Sequence, residues 1–210
     1  APAELKYYHF MEYVWDGIPL IISRTGWSSE LGYEIYLRDG SQGDRLWEHL
    51  MAVGAPLGLK PGHTSSIRRI EAGMLSYQAD MTLENNPYEL GLERLVDLDT
   101  DTDFVSKSAL HKIKKIGVVK KLVGLEIDGD PLVGSNDFYW PVLKNDKKVG
   151  MITSAIYSPR LKKNIALAMI GVKDIKLNAA LKVVNSNDVR ACHFTSIPFY
   201  DPKKLLASKS

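Results

Sequence analysis

The sequence predicts an α+β chain in which mixed helices and strands give way to a β-rich region. Three observations predict it. Over the first hundred or so positions, apolar residues alternate in some stretches and recur at helical spacing in others. After Lys121 the apolar runs are short and are bounded by Gly, Asn, Asp and Pro, the spacing of a small antiparallel sandwich or barrel. Between the two textures lies a basic stretch, Lys112 to Lys121, with Gly117 as a natural helix stop. A chain of 210 residues with 45% hydrophobic content has enough apolar side chains for one or two cores.

Taken in order, Tyr7 to Val14 and Ile18 to Ser23 flank Asp16-Gly17, a pair suited to the positive φ angles of a tight hairpin. The polar loop Arg24 to Gly32 then runs into a third strand, Tyr33 to Leu37, on which Glu34 and Tyr36 share a face because strand side chains alternate. Leu46, Trp47, Leu50, Met51 and Val53 recur at helical spacing up to Gly54, and Pro56 to Pro61 reads as a linker. Ser65 or Ser66 can cap a second helix running through Ile67, Ile70 and Met74. Tyr77 to Pro87 is polar and irregular. Glu89 to Leu98 is apolar again, and a short basic helix starts at Ser106 or Lys107. The strands expected beyond it are Leu122–Ile127, Phe138–Leu143, Val149–Ile156, Ile165–Val172, Leu181–Val184 and Ala191–Ile197, with a hairpin at Asn145-Asp146. Leu205 to Ser210 reads as a frayed tail.

Composition excludes several classes. A net charge of +2 gives no electrostatic case for nucleic acid. Cys192 is the only cysteine, so no internal disulfide forms, and its apolar neighbours suit a core thiol. No apolar run approaches the ~18 residues of a membrane span. Nor does Ala1 open a basic-then-apolar leader, so the expected location is cytoplasmic. The five histidines lack ligand spacing, so no metal is expected. Phosphate-loop, dinucleotide and nucleophile-elbow patterns are absent.

Six ordered segments carry a resemblance. They are Arg24-Thr25-Gly26 running into Gly32-Tyr33-Glu34-Ile35-Tyr36, Ile70-Glu71-Ala72-Gly73-Met74 and Pro87-Tyr88-Glu89-Leu90-Gly91-Leu92. Then come Lys121-Leu122-Val123-Gly124-Leu125, Ser158-Pro159-Arg160-Leu161-Lys162-Lys163-Asn164-Ile165-Ala166, and Pro198-Phe199-Tyr200. Together they resemble the folate-dependent one-carbon transferases typified by the glycine-cleavage T-protein, over roughly residues 5 to 202. The fold implied is the C-terminal part of a T-protein-like folate-binding α+β module, 1–118, then a small antiparallel β-barrel, 119–202, and a tail, 203–210. The chain aligns with the family's second half. The expectation is therefore a fragment or processed product whose catalytic acid lies in an absent first half.

The resemblance implies tetrahydrofolate as cofactor, a small-molecule substrate, and cofactor binding by Glu34, Arg24 and Tyr200. The chemistry fits Glu34. A reduced pterin presents two parallel donors, and hydrogen bonds to a carboxylate are worth about 1.5–3 kcal/mol each. Departures from the T-protein pattern matter too. Ser65 stands where an arginine would bind the folate tail, with Arg68 or Lys60 as substitutes, and Trp27 replaces the loop tyrosine. The runs at 26–36 and 62–71 are similar to the dimethylsulfoniopropionate demethylase branch. There Trp27 and Tyr36 would bind substrate, since an indole face attracts a sulfonium by about 0.5–2 kcal/mol. Alternatives are a glycine-cleavage aminomethyltransferase, the C-terminal module of a sarcosine or dimethylglycine dehydrogenase, or a non-catalytic folate-binding protein. The sequence permits an oligomer without requiring one.

Overall fold

The computed structural model describes residues 2–176, 179–185 and 188–208. Its backbone divides into two compact units. One takes in the chain up to Arg68 together with the residues from Lys203 on; the other is Arg69–Pro202.

In the first unit, β1 (Phe10–Trp15), β2 (Ile18–Ser23) and β3 (Glu34–Leu37) form an antiparallel sheet in that order. Asp16 and Gly17 sit at φ 46° and 79°, so Trp15 pairs directly with Ile18 and the register is set by the turn. Ile18, Leu20 and Ile22 are buried on one face of β2. The register places Ser23 opposite Glu34 and Ile21 opposite Tyr36 on the other.

Helix α1 (Gly43–Gly54) ends at Gly54 as expected, but the chain does not uncoil there. It tightens into a 3₁₀ turn over Ala55–Leu57, and the left-handed residue that ends it is Gly58, at φ 89°. The expected linker is therefore partly helical. α2 is short, Ser66–Glu71. Ser65 Oγ accepts from Arg68 N at 3.3 Å and caps it. Gly73, at φ 63°, leaves Met74 outside.

In the second unit, an isolated bridge joins Tyr77 and Met81 within otherwise irregular chain, and α3 spans Lys107–Ile116. Six strands follow: β4 (Lys120–Ile127), β5 (Trp140–Lys144), β6 (Lys147–Ser158), β7 (Lys163–Gly171), β8 (Leu181–Val184) and β9 (Val189–Thr195). They close into an antiparallel barrel in the order β4-β7-β6-β5-β8-β9, with β9 returning to β4. Closure removes the sheet edges. Leu125, Val142, Ile152, Ala168, Ile170 and Val183 fill the interior with no accessible surface. Asn145 and Asp146, at φ 49° and 59°, turn β5 into β6.

The C-terminal residues correct the reading of a frayed tail. Over Lys203–Ser208 the chain turns, Ser208 N donates to Lys204 O at 3.1 Å, and Ala207 is buried. Lys209 and Ser210 lie outside the described residues. No helix is long and apolar enough to cross a membrane among the described residues.

Candidate functional site

The sheet of the first unit ends on a polar loop. Beyond Ser23 the chain stays paired for one more step: Arg24 N donates to His9 O at 2.8 Å, and Tyr8 N donates to Arg24 O at 3.1 Å. Ser23 faces Glu34 across the ladder, and Thr25 follows two residues later. A short hydroxyl relay results. Thr25 Oγ1 donates to Glu34 Oε2 in a tight contact, and Ser23 Oγ lies 2.8 Å from Thr25 Oγ1. A threonine hydroxyl has one proton, so with that proton on Glu34 it is Ser23 that donates to Thr25. The Glu34 carboxylate is half-buried and held in place, and the Thr25 and Tyr36 hydroxyls together leave part of its four or so acceptor positions open.

Tyr36 lies two residues along β3 on the same face and is exposed. The neighbouring Glu34 charge pushes its phenol above the ordinary tyrosine range, with burial adding to the effect. A hydrogen bond to the Glu34 carboxylate raises it further, so the phenol proton is directed to Glu34. Trp27, on the same loop, is 41% exposed.

Arg24 is placed differently from a free ligand-binding cation. It is only 2% exposed, Nη1 donates to Gly32 O at 3.2 Å, and its guanidinium lies 5.1 Å from the centre of the Tyr33 ring. It ties the start of the loop to its end. Of the cations considered as substitutes at Ser65, Arg68 donates to Glu30 Oε1 at 2.9 Å, and Lys60 is exposed. Ser65 itself is occupied as the α2 cap.

Tyr200 belongs to the second unit, apart from the other four sequence-derived residues. Its amide donates to Glu71 O at 3.0 Å, and the Arg160 guanidinium sits 4.2 Å from its ring centre. Arg160 Nη1 is 3.6 Å from Glu71 Oε2, while Ser158 Oγ donates to Glu71 Oε1 at 2.5 Å. Two segments singled out separately in the sequence, 70–74 and 158–166, thus meet through Glu71.

A second buried knot was not foreseen. Asp80 accepts from Arg69 at 2.8 Å, Thr153 at 2.7 Å, Ser154 at 2.6 Å and the Ser76 amide at 2.9 Å. Its trace in the sequence is one of two acids, Asp80 and Glu84, in an irregular stretch. Among the described residues no cluster of three or more His, Cys, Asp or Glu side chains gathers to hold a metal.

Two family models match the chain. The GCVT N-terminal domain matches residues 1–100, and the glycine cleavage T-protein C-terminal barrel domain matches residues 120–201. A dimethylsulfoniopropionate demethylase from Ruegeria pomeroyi is 35% identical over 170 residues, covering 81% of this chain and 46% of that protein. An aminomethyltransferase from Bacillus cereus is 34% identical over 207 residues, covering 96% of this chain and 55% of its own. The chain therefore spans about half the length of the curated relatives it matches. The crystal structure of the glycine cleavage system aminomethyltransferase T from Bartonella henselae superposes with a TM-score of 0.77 at 20% identity. That match covers 95% of this chain and 54% of the other, and it bears on the fold alone.

Proposed function

The chain belongs to the glycine cleavage T-protein family, and from that premise we propose that it serves a tetrahydrofolate-dependent methyl transfer, with dimethylsulfoniopropionate as the methyl donor. The observation that carries this reading is the Glu34 carboxylate, braced by the Ser23–Thr25 relay at the end of β3. Tetrahydrofolate, when bound, supplies the nitrogen that accepts the methyl group. The residues of this chain bind and orient, and the catalytic acid is expected in the family's first half.

Glu34 accepts the paired ring N–H and amino donors of a reduced pterin. It does so without rotamer loss at binding, because Thr25 already fixes its orientation. Arg24 acts through the loop, holding its two ends together so that Thr25 and Trp27 stay in place. Trp27 offers an indole face to the sulfonium, worth about 0.5–2 kcal/mol. Tyr36, beside Glu34 on the same face of β3, lines the substrate end. Tyr200, its ring held against Arg160, is the further residue that the family resemblance assigns to folate. A sulfonium methyl is already activated, so alignment is the main task left to the protein. A cytoplasmic setting, where reduced folate is available, suits this reading.

The aminomethyl reading differs at the donor. It draws on the aminomethyltransferase relatives, which match a larger share of the chain. Incubating the protein with dimethylsulfoniopropionate and tetrahydrofolate distinguishes the two. Methyl-tetrahydrofolate and the demethylated thioether are the expected products; turnover of an aminomethyl-lipoyl carrier with no methyl-tetrahydrofolate formed would assign the other reaction. Glu34→Ala is expected to weaken tetrahydrofolate binding at least about tenfold by titration calorimetry, equivalent to ~1.4 kcal/mol. Unchanged binding in that variant would remove Glu34 from the pterin site.

A further inference from the structure

A cavity of about 580 Å³ lies wholly within the second unit, between the irregular chain after α2 and the segment leading into β5. Tyr77, Phe138 and Tyr139 line it, with Gln78, Asp137 and Thr153. The three rings are 55%, 54% and 45% exposed, and among the described residues none of them stacks on another ring. Their faces are not spent on one another. Tyr139 Oη donates to Gln78 O at 2.8 Å, which ties the two walls together. At the floor, Thr153 Oγ1 donates to the buried Asp80, which is itself paired with Arg69 at 2.8 Å. Among the described residues that line the cavity, Asp137 is the charged one, and none is Lys, Arg or His.

We propose that this cavity binds a small methylated onium ion, a quaternary ammonium or a sulfonium. Aromatic faces carry negative quadrupole potential, and a methylated onium presents diffuse positive charge with no hydrogen-bond donors to satisfy. Water holds such an ion less firmly than a primary ammonium, so moving it against ring faces costs little. Asp137 supplies the full negative charge that offsets it, and the absence of cations from the lining removes the competing repulsion. Purely apolar ligands would gain from the rings but not from Asp137. Inorganic anions would meet a carboxylate and ring faces, both of the wrong sign.

Choline and its uncharged tert-butyl isostere, an alcohol of nearly equal shape, separate charge recognition from plain apolar filling. Calorimetric titration of the protein is expected to show saturable choline binding, with the isostere at least about tenfold weaker. The N-methyl proton resonances of choline should move upfield on binding, the ring-current mark of an aromatic enclosure. Phe138→Leu keeps apolar bulk on an exposed side chain and removes a ring. That variant should weaken choline about fivefold and diminish the upfield shift while leaving the isostere unaffected. Asp137→Asn should weaken choline alone. Equal affinity for choline and the isostere would overturn the proposal, as would choline binding indifferent to both substitutions or the absence of saturable binding. Choline held at Trp27 would be indifferent to the Phe138 and Asp137 substitutions, so this site and the Glu34–Trp27 site can fail independently.

Discussion

Among individual residues, Glu34 and Cys192 show two ways a titratable group can be held. Glu34 is half-buried, hydrogen-bonded by the Thr25 and Tyr36 hydroxyls, and keeps acceptor capacity for a ligand. Cys192 sits at 3% exposure on β9, pointing into the barrel core. Burial, with the nearby Asp128 charge adding, pushes its thiol up to about 12. The thiolate is the nucleophile in alkylation, and at neutral pH almost none is present. Iodoacetamide at pH 7.5 should therefore leave the folded protein unmodified and add one carbamidomethyl group after denaturation, as read by intact mass. Rapid modification of the folded chain would contradict both the burial and the raised pKa. The role of Cys192 as a core thiol was legible from its apolar neighbours. That Glu34 and Tyr36 share a face was legible from strand alternation. The Thr25 brace was not, because it depends on how the loop folds back, and neither was the burial of Arg24, whose charge argued for exposure.

For the secondary-structure elements, the local signals were read well wherever geometry is set by adjacent residues. Asp16-Gly17 and Asn145-Asp146 both adopt the positive φ values their turns require, and α3 starts after Ser106 and ends before Gly117 as expected. Contacts between distant segments left no such signal. Asn164 on β7 is an instance: it is 3% exposed and Nδ2 donates to the carbonyls of Ile127, Gly129 and Asp130 at 3.2, 3.3 and 3.0 Å. Its Oδ1 accepts from Leu132 N at 2.9 Å. One amide thus satisfies the backbone of the segment leaving β4, more than 30 residues away in sequence. Truncation would strand those groups against a protein wall rather than in water. Asn164→Ala is therefore expected to cost about 2–4 kcal/mol in urea denaturation, and Asn164→Asp, which sets a buried carboxylate against three carbonyl oxygens, should cost at least as much. A loss below ~1 kcal/mol for the alanine variant would mean that water replaces the amide.

Across the whole molecule, the two units differ in how much apolar surface each encloses. The barrel is closed on itself, and β4 through β8 each carry a residue with no accessible surface; β7 is buried from Asn164 through Ile170. The first unit is thinner. On β2, Ile18, Leu20 and Ile22 are buried, but α1 has no fully buried residue, and Phe10, Val14, Trp47 and Val53 are all more than half exposed. Burial of apolar area is the main favourable term in folding, at roughly 25 cal/mol per Å². Segments enclosing little of it open at lower free energy than the global transition. The two texture classes in the sequence foretold a mixed part and a β-rich part, but not this inequality, since α1 has the apolar spacing of a well-buried helix. Hydrogen exchange read by peptide mass spectrometry should thus show a hierarchy. Amides of β6 and β7 should exchange slowest, those of β1, β3 and α1 faster by at least about two orders of magnitude, equivalent to ~2.8 kcal/mol of local stability. Adding tetrahydrofolate should slow the peptides spanning Arg24 to Tyr36 if Glu34 binds the pterin, because a ligand stabilises the state it binds. Uniform exchange across both units would show instead that the chain opens as a single cooperative body.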